Sequence, residues 1–384
     1  AYVTREKLQR SETWYPLRVL VCESCWLVQT EDFTKHDELF DADYAYFSGF
    51  SQSWLDHSAK YVASMVERFG LNNKSHVVEI AANDGYLLQY VQQHGIPCTG
   101  IEPTASTAAV AKEKGIDIVE KFFGEVLALE LVNQGKQADL TVANNVLAHV
   151  PDINDFVKGF SVILKPHGVA TFEFPHLLNL IEKIQFDTIY HEHFSYLSLL
   201  AIDRVFKANG LVVFDVEEIS THGGSLRVYA QRSDTGKHTQ AENVNTIIEK
   251  ELKAGLSTQL GYQGFQQKAE KIKDDFLAFL IEAKRQKKLV AAYGAAAKGN
   301  TLLNFAGIRS DLIQFVVDRN PAKQGKFMPG SRIPIVGEEQ LSKIRPDYVV
   351  ILPWNLQEEI VAQLAYIRQW NGKFVTAVPD LNLL

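Results

Sequence analysis

Strand–helix alternation runs from residue 76 to residue 231 and resumes at residue 288. No other feature of the sequence restricts the fold as much. Apolar runs at 76–80, 97–102, 116–120, 138–143 and 169–174 read as buried strands, and residues 86–94, 104–114 and 156–164 between them carry helical spacing. A further helix at 199–209 is followed by strands at 211–219 and 225–231. Alternation of this kind predicts an α/β fold around a mainly parallel, doubly wound sheet, with ligands at the carboxyl ends of its strands. Runs at 288–293, 313–318, 347–352 and 373–377 predict a second, smaller α/β domain. The chain thus divides into an irregular module at 1–45, a central domain at 46–232, a helical connector at 233–287 and a C-terminal domain at 288–384.

Composition narrows the function. The 384 residues are 46% hydrophobic and 22% charged, enough for sizeable cores. A net charge of -7 without a basic run argues against a nucleic-acid surface. No apolar run approaches the roughly 18–20 residues of a membrane span, and the first residues lack a signal-peptide pattern, so a cytoplasmic location is expected. Three cysteines do not make a disulfide scaffold. Cys22-Glu-Ser-Cys25 reads equally as an ordinary turn or as half of a Zn²⁺ site, because a structural site needs four ligands.

The densest chemistry lies in Tyr190-His191-Glu192-His193-Phe194-Ser195-Tyr196. Imidazoles flanking a carboxylate suit acid–base work, since histidine titrates near neutral pH and a neighbouring acid or phenol tunes it. A polar loop with satisfied histidines is the competing reading; the density of groups favours function. Residues Glu79, Ala81, Asn83, Asp84 and Gly85 form a strand–turn–helix start, and Glu102-Pro103 ends the next strand, where a carboxylate can accept ribose hydroxyls. GxGxxG is absent, which weighs against a dinucleotide loop. Asn144, Asn145 and His149 follow another strand, while His222-Gly-Gly-Ser225-Leu-Arg227 reads as a hairpin turn or a close approach to ligand. In the second domain, Gly294, Lys298 and Asn300 suit a diphosphate, and Asp318-Arg319 a ribose or base.

Taken together, the motifs Asp43-Tyr44-Ala-Tyr46-Phe47-Ser48 with Ser53-Trp54, the 78–85 turn, Asn144-Asn145-Val-Leu-Ala-His149, Tyr190-His-Glu-His-Phe-Ser195, His222-Gly-Gly-Ser-Leu-Arg227 and Tyr293-Gly-Ala-Ala-Ala-Lys298-Gly-Asn300 resemble the S-adenosylmethionine-dependent nucleotide-sugar C-methyltransferases of deoxysugar biosynthesis. The resemblance spans essentially the whole chain. It implies a class I methyltransferase Rossmann-like central domain, a small N-terminal zinc-type module and a Rossmann-like C-terminal domain. The family's module carries two CxxC pairs, of which Cys22 and Cys25 match the second. The implied reaction moves a methyl group from S-adenosylmethionine to a ring carbon, expected to be C3, of a nucleotide-linked 4-keto-6-deoxy sugar. His193, oriented by Glu192, is the implied base. Tyr190 and His149 would stabilise the enolate oxygen, and Tyr44 and Phe47 would position the sugar with His222, Ser225 and Arg227. An NAD(P)-dependent nucleotide-sugar oxidoreductase or epimerase is the alternative. Oligomeric state is open, with a monomer the simplest expectation.

Overall fold

A computed structural model describes residues 2–31 and 47–384. It separates into two compact units, each assembled from non-contiguous stretches. One comprises residues 19–177 and 192–261, the other residues 1–18, 178–191 and 262–384.

The first unit contains a three-stranded antiparallel sheet and a seven-stranded sheet. The small sheet joins β1 (Val19–Val21), β2 (Val28–Thr30) and β8 (Ser195–Tyr196). The large sheet contains β3 (Val77–Ile80), β4 (Cys98–Ile101), β5 (Asp117–Val119), β6 (Ala138–Asn144), β7 (Leu164–Pro175), β9 (Leu211–Ile219) and β10 (Ser225–Arg232). Its order is β5-β4-β3-β6-β7-β10-β9, parallel except for antiparallel β10. β3, β6 and the 169–174 part of β7 are almost wholly buried, which is why they read as continuous, largely apolar runs. The Gln52–Phe69 helix covers one face through Tyr61, Val62 and Met65, and Phe156, Phe160 and Phe206 pack in a separate cluster with Phe172. Ser51 caps that first helix with its hydroxyl, and Gly70 ends it in the left-handed conformation.

The second unit is built on β11 (Val290–Tyr293), β12 (Val316–Val317), β13 (Ile335–Val336), β14 (Tyr348–Ile351), β15 (Lys373–Thr376) and β16 (Asn382–Leu383). They run in the order β13-β12-β11-β14-β15-β16, with only β16 antiparallel. The long Phe265–Arg285 helix, expected to belong to a connector, places Ala269, Ile272, Phe276, Leu280 and Ala283 in this unit's core. Ile184 and Phe186 join the same core.

The described residues of the N-terminal 1–45 stretch are divided between the two units. Residues up to Arg18 belong to the second unit, where Val3 bridges Phe327 and Glu12 pairs with Arg332. Val19 onward belongs to the first, because its hairpin continues through backbone pairing into β8. The two-residue strands β8, β13 and β16 and the Glu125–Asn133, Leu177–Glu182, Glu339–Ile344 and Gln357–Gln363 helices had no clear sequence signal.

Candidate active site

The carboxyl ends of β3, β4, β6 and β7 carry most of the residues singled out in the central domain. At the end of β3 the chain turns through Ala81 (φ +58°) and Asn83 (φ +50°), both left-handed and neither glycine. Glu102 holds this turn. Its carboxylate accepts the Asn83 N–H at 2.9 Å and the Thr104 N–H at 2.9 Å. Burial raises the Glu102 pKa, and those two N–H groups oppose the rise. The turn in turn receives the chain ahead of the first helix: the Ser48 N–H donates to Asn83 Oδ1 (2.9 Å) and the Gly49 N–H to Asp84 Oδ2 (3.1 Å). Phe47, half-buried, leads into this contact. Tyr44 lies outside the described residues. Pro103 follows Glu102 just beyond β4.

Several buried polar atoms here have no protein partner. Both carboxyl oxygens of Glu79 are enclosed without a hydrogen bond, and burial pushes this carboxyl well above its usual range despite the nearby Tyr86 phenol. Both amide atoms of Asn144 and of Asn145 are also orphaned. Native proteins seldom leave such groups unpaired, and an unmet ligand is one explanation. A small polar cofactor with ribose hydroxyls, an amine and a carboxylate fits them.

Beside this row lies an imidazole pair. The rings of His149 and His193 meet edge to face with centroids 4.6 Å apart, and Tyr196 approaches His193 at 5.9 Å. Burial lowers the His149 pKa to about 4, with the Glu192 backbone opposing, so the ring is neutral at physiological pH. His193 is buried, and its carbonyl accepts from Thr30 Oγ1 at 2.9 Å. The Phe194 N–H donates to Ala148 O (2.8 Å) and Phe194 O accepts from the Thr30 N–H (3.1 Å). The cysteine hairpin thereby anchors the segment carrying His193. Glu192 makes no hydrogen bond or ion pair with His193 among the described residues; its carboxyl is raised by burial. Tyr190 and His191 belong to the other unit, where His191 Nε2 lies 3.0 Å from Pro16 O.

Two groups that the sequence did not single out complete the neighbourhood. His57 Nε2 lies 2.9 Å from Glu173 Oε2, and the same carboxylate accepts Arg227 Nε (2.7 Å) and Nη2 (2.6 Å). Burial would raise Glu173, but His57 and Arg227 outweigh it and hold the carboxyl below its usual range. A glutamate inside the otherwise apolar strand 169–174 was the available signal for this site; His57 had none. Arg227 is committed to Glu173 and, through Nη1, to Glu217 (3.1 Å). Ser225 donates its hydroxyl to Thr221 O (2.9 Å) within the turn. His222 (φ +54°) meets the Trp54 ring at 5.4 Å.

In the second unit, Gly294 (φ +94°) has a packing reason for its identity: a Cβ there would lie 2.5 Å from Pro353 Cδ. Lys298 donates to Asn355 Oδ1 (3.0 Å) and sits 4.9 Å from the Trp354 ring centroid. Burial lowers its pKa, countered by Asp187. Asp187 is itself driven up to about 6 by burial, although Lys298 and the Trp354 indole N–H (2.8 Å) oppose this. Asn300 Oδ1 is buried without a partner. Asp318 takes the Ala295 N–H (2.9 Å), the Asn320 N–H (2.9 Å) and Lys323 (3.1 Å), and Arg319 donates to Gln363 Oε1 (3.2 Å).

The cysteine turn favours a thiolate at Cys22 and not at Cys25. Backbone N–H groups of Cys25 and then Ser24 lower the Cys22 pKa, while burial raises that of Cys25. No cluster of three or more metal-capable side chains occurs among the described residues. Likewise, no helix among them is long and apolar enough to cross a membrane.

A seven-stranded sheet whose carboxyl ends carry this turn, an acid on the adjacent strand and unpartnered amides defines an S-adenosylmethionine-dependent methyltransferase, and a family model described as "Methyltransferase domain" matches residues 54–216. Models described as "C-methyltransferase C-terminal domain" and "Putative zinc binding domain" match residues 220–379 and 1–40. C-methyltransferase NovU of Streptomyces niveus is 34% identical over 369 residues, 96% of this chain and 87% of that protein. The chain belongs to the S-adenosylmethionine-dependent C-methyltransferase family. A ubiquinone biosynthesis O-methyltransferase of Pseudomonas fluorescens is 27% identical over 146 residues, 34% of this chain and 61% of that enzyme. Magnesium protoporphyrin IX methyltransferase from Synechocystis PCC 6803 superposes with a TM-score of 0.36 at 15% identity, covering 47% of this chain and 79% of that one. Family membership sets aside the nicotinamide-dependent oxidoreductase or epimerase.

Proposed function

We propose that the protein methylates a ring carbon, expected to be C3, of a nucleotide-linked 4-keto-6-deoxy sugar. The observation that supports this reading most directly is the His149–His193 pair beside the orphaned polar row. Methylation at carbon requires removal of a proton from that carbon, which oxygen or nitrogen acceptors do not demand. A ketone beside the carbon makes the proton acidic enough for an imidazole to take.

S-adenosylmethionine supplies an electrophilic methyl on a sulfonium when bound. Glu79, the Ala81–Gly85 turn, Glu102, Asn144 and Asn145 would hold it. His193 would accept the carbon-bound proton. His149, kept neutral, would donate a hydrogen bond to the enolate oxygen without carrying a charge. Tyr190 and Tyr44 are assigned to the sugar by their sequence motifs. Gly294, Lys298, Asn300, Asp318 and Arg319 are assigned to the nucleotide; the last two have roles within their own turn as well. Zn²⁺ would take Cys22 and Cys25 as two of the four ligands a structural site needs. We place the protein in the cytoplasm.

The test is mass spectrometry of a nucleotide-linked 4-keto-6-deoxyhexose incubated with protein and S-adenosylmethionine. One added methylene mass is expected. His193→Ala should bind the cofactor normally and turn over about 100-fold more slowly or worse. No mass gain with a panel of such sugars removes the substrate, and wild-type turnover in the variant removes His193 as base.

A further inference from the structure

The row of buried groups at the carboxyl ends continues one strand further than the cofactor residues require. Asn144 of β6 and Glu173 of β7 are direct neighbours across the parallel pair, and Glu173 is in turn opposite Arg227 of β10. Lateral neighbours share a sheet face, so Asn144, Glu173 and Arg227 stand side by side. Arg227 lies 5.0 Å from the Tyr61 ring centroid, which identifies this as the face under the Gln52–Phe69 helix. Asn144 is 6% exposed with both amide atoms unpartnered, so the row opens on a polar ligand.

The helix places His57 over this row. Its register is fixed from two sides: the preceding Ser48 and Gly49 are bonded to the cofactor turn, and Trp54 reaches Tyr86 at 6.0 Å. Trp54 stacks flat on the His57 imidazole, centroids 4.9 Å apart and planes 14° from parallel. With Glu173 ionised between His57 and Arg227, the Nε2 position must carry the proton it donates. Nδ1 makes no hydrogen bond among the described residues. The side chain keeps 19% exposure. A buried carboxylate, an arginine and an indole thus hold one imidazole in one orientation, at the edge of the cofactor row, with its second ring nitrogen unclaimed.

We infer that His57 is a substrate-binding residue of the methyl-transfer centre, whose Nδ1 shares a hydrogen bond with a hydroxyl of the acceptor sugar, with Glu173 as its positioning residue. This inference rests on the sugar C-methyltransferase reading. A hydroxyl is the group that fits, because it can donate to or accept from the ring nitrogen.

Two substitutions at one position separate contact from scaffold. Gln carries its amide to the place of Nε2, preserving the bond to Glu173 and leaving nothing at Nδ1. Asn carries an amide atom to the place of Nδ1 and abandons Glu173. Initial rates with S-adenosylmethionine and a nucleotide-linked 4-keto-6-deoxyhexose give KM and kcat, and calorimetry gives cofactor affinity. His57→Gln should raise the sugar KM about tenfold, with cofactor affinity within about twofold of wild type. His57→Asn should stay within about threefold of wild-type KM. Wild-type KM in His57→Gln, or a greater loss in His57→Asn than in His57→Gln, overturns the inference. A measurement on the wild-type protein makes the outcome independent of variant folding. Carbethoxylation by diethyl pyrocarbonate, read by peptide mass spectrometry, should slow about fivefold at His57 when the nucleotide sugar is present; unchanged labelling overturns the inference. If the wild-type protein methylates the sugar while these results fail, only the His57 assignment falls. If it methylates no such sugar, the parent reading falls and this one with it.

Discussion

The two Rossmann-like sheets each present a strand–turn–helix start with an acid on the neighbouring strand, and they use those parts in opposite ways. In the first, Glu102 clamps the turn while Glu79, Asn144 and Asn145 are enclosed with nothing to bond. In the second, Asp318 fastens Ala295, Asn320 and Lys323, while Tyr293, Gln363, Glu338 and Arg319 bond one another. Its exceptions among the described residues are Oδ1 of Asp187, Asn300 and Asn304 and the Ser331 hydroxyl. The same topology therefore makes a site with polar capacity held in reserve in one unit, and a largely self-satisfied turn in the other. Reserve capacity is costly in the unliganded state, and a ligand recovers that cost.

The largest effect expected from this contrast is on the self-satisfied side. Asp318→Leu strips the acceptor from two backbone N–H groups and from Lys323, and should cost about 2–3 kcal/mol in chemical denaturation. Affinity for S-adenosylmethionine should stay as in wild type. A loss below about 0.5 kcal/mol would show that the second turn does not depend on its acid, and the contrast would blur.

Much of the fold was legible because buried parallel strands are apolar throughout: every predicted strand from residue 76 to residue 231 is present within a few residues of its expected limits, β7 alone beginning five residues earlier. The short strands escaped because two residues carry no periodicity. The division of the N-terminal stretch at Arg18 escaped because it depends on Val3 and Glu12 finding Phe327 and Arg332, more than 300 residues away. At the site, the residue types were legible but their partners were not. The 190–196 motif suggested an imidazole braced by the acid next to it; His193 instead meets the His149 ring, and the braced imidazole is His57, on the Gln52–Phe69 helix.

The next effect concerns that imidazole pair. His149 titrates at about 4 in the folded protein against 6.5 when unfolded. Between those values the unfolded chain binds more protons, so stability rises with pH across the window and is lost as pH falls from 6.5 toward 4. The loss should reach about 2 kcal/mol, allowing for partial exposure of the ring. Urea unfolding at several pH values, comparing wild type with His149→Asn, isolates it: the variant's profile should be flatter by that amount. Parallel profiles would mean that His149 is solvated, and the enclosed character of the first region would be in doubt.

The smallest effect has the most informative sign. If the amide of Asn144 is held for a ligand, its two unpaired polar atoms destabilise the unliganded protein. Leucine, of similar size and without polar atoms, should then increase stability by about 1 kcal/mol, because replacing an unsatisfied buried amide with an apolar group removes its desolvation penalty. The same substitution should weaken S-adenosylmethionine binding about tenfold. Asn144→Leu and Asp318→Leu would thus move stability in opposite directions at the carboxyl ends of strands in two similar sheets, and only the first would touch cofactor affinity. Destabilisation by Asn144→Leu together with unchanged cofactor affinity would mean that the amide serves packing in the first sheet as Asp318 serves its turn in the second. Calorimetric titration and denaturation on the same two samples decide between these outcomes.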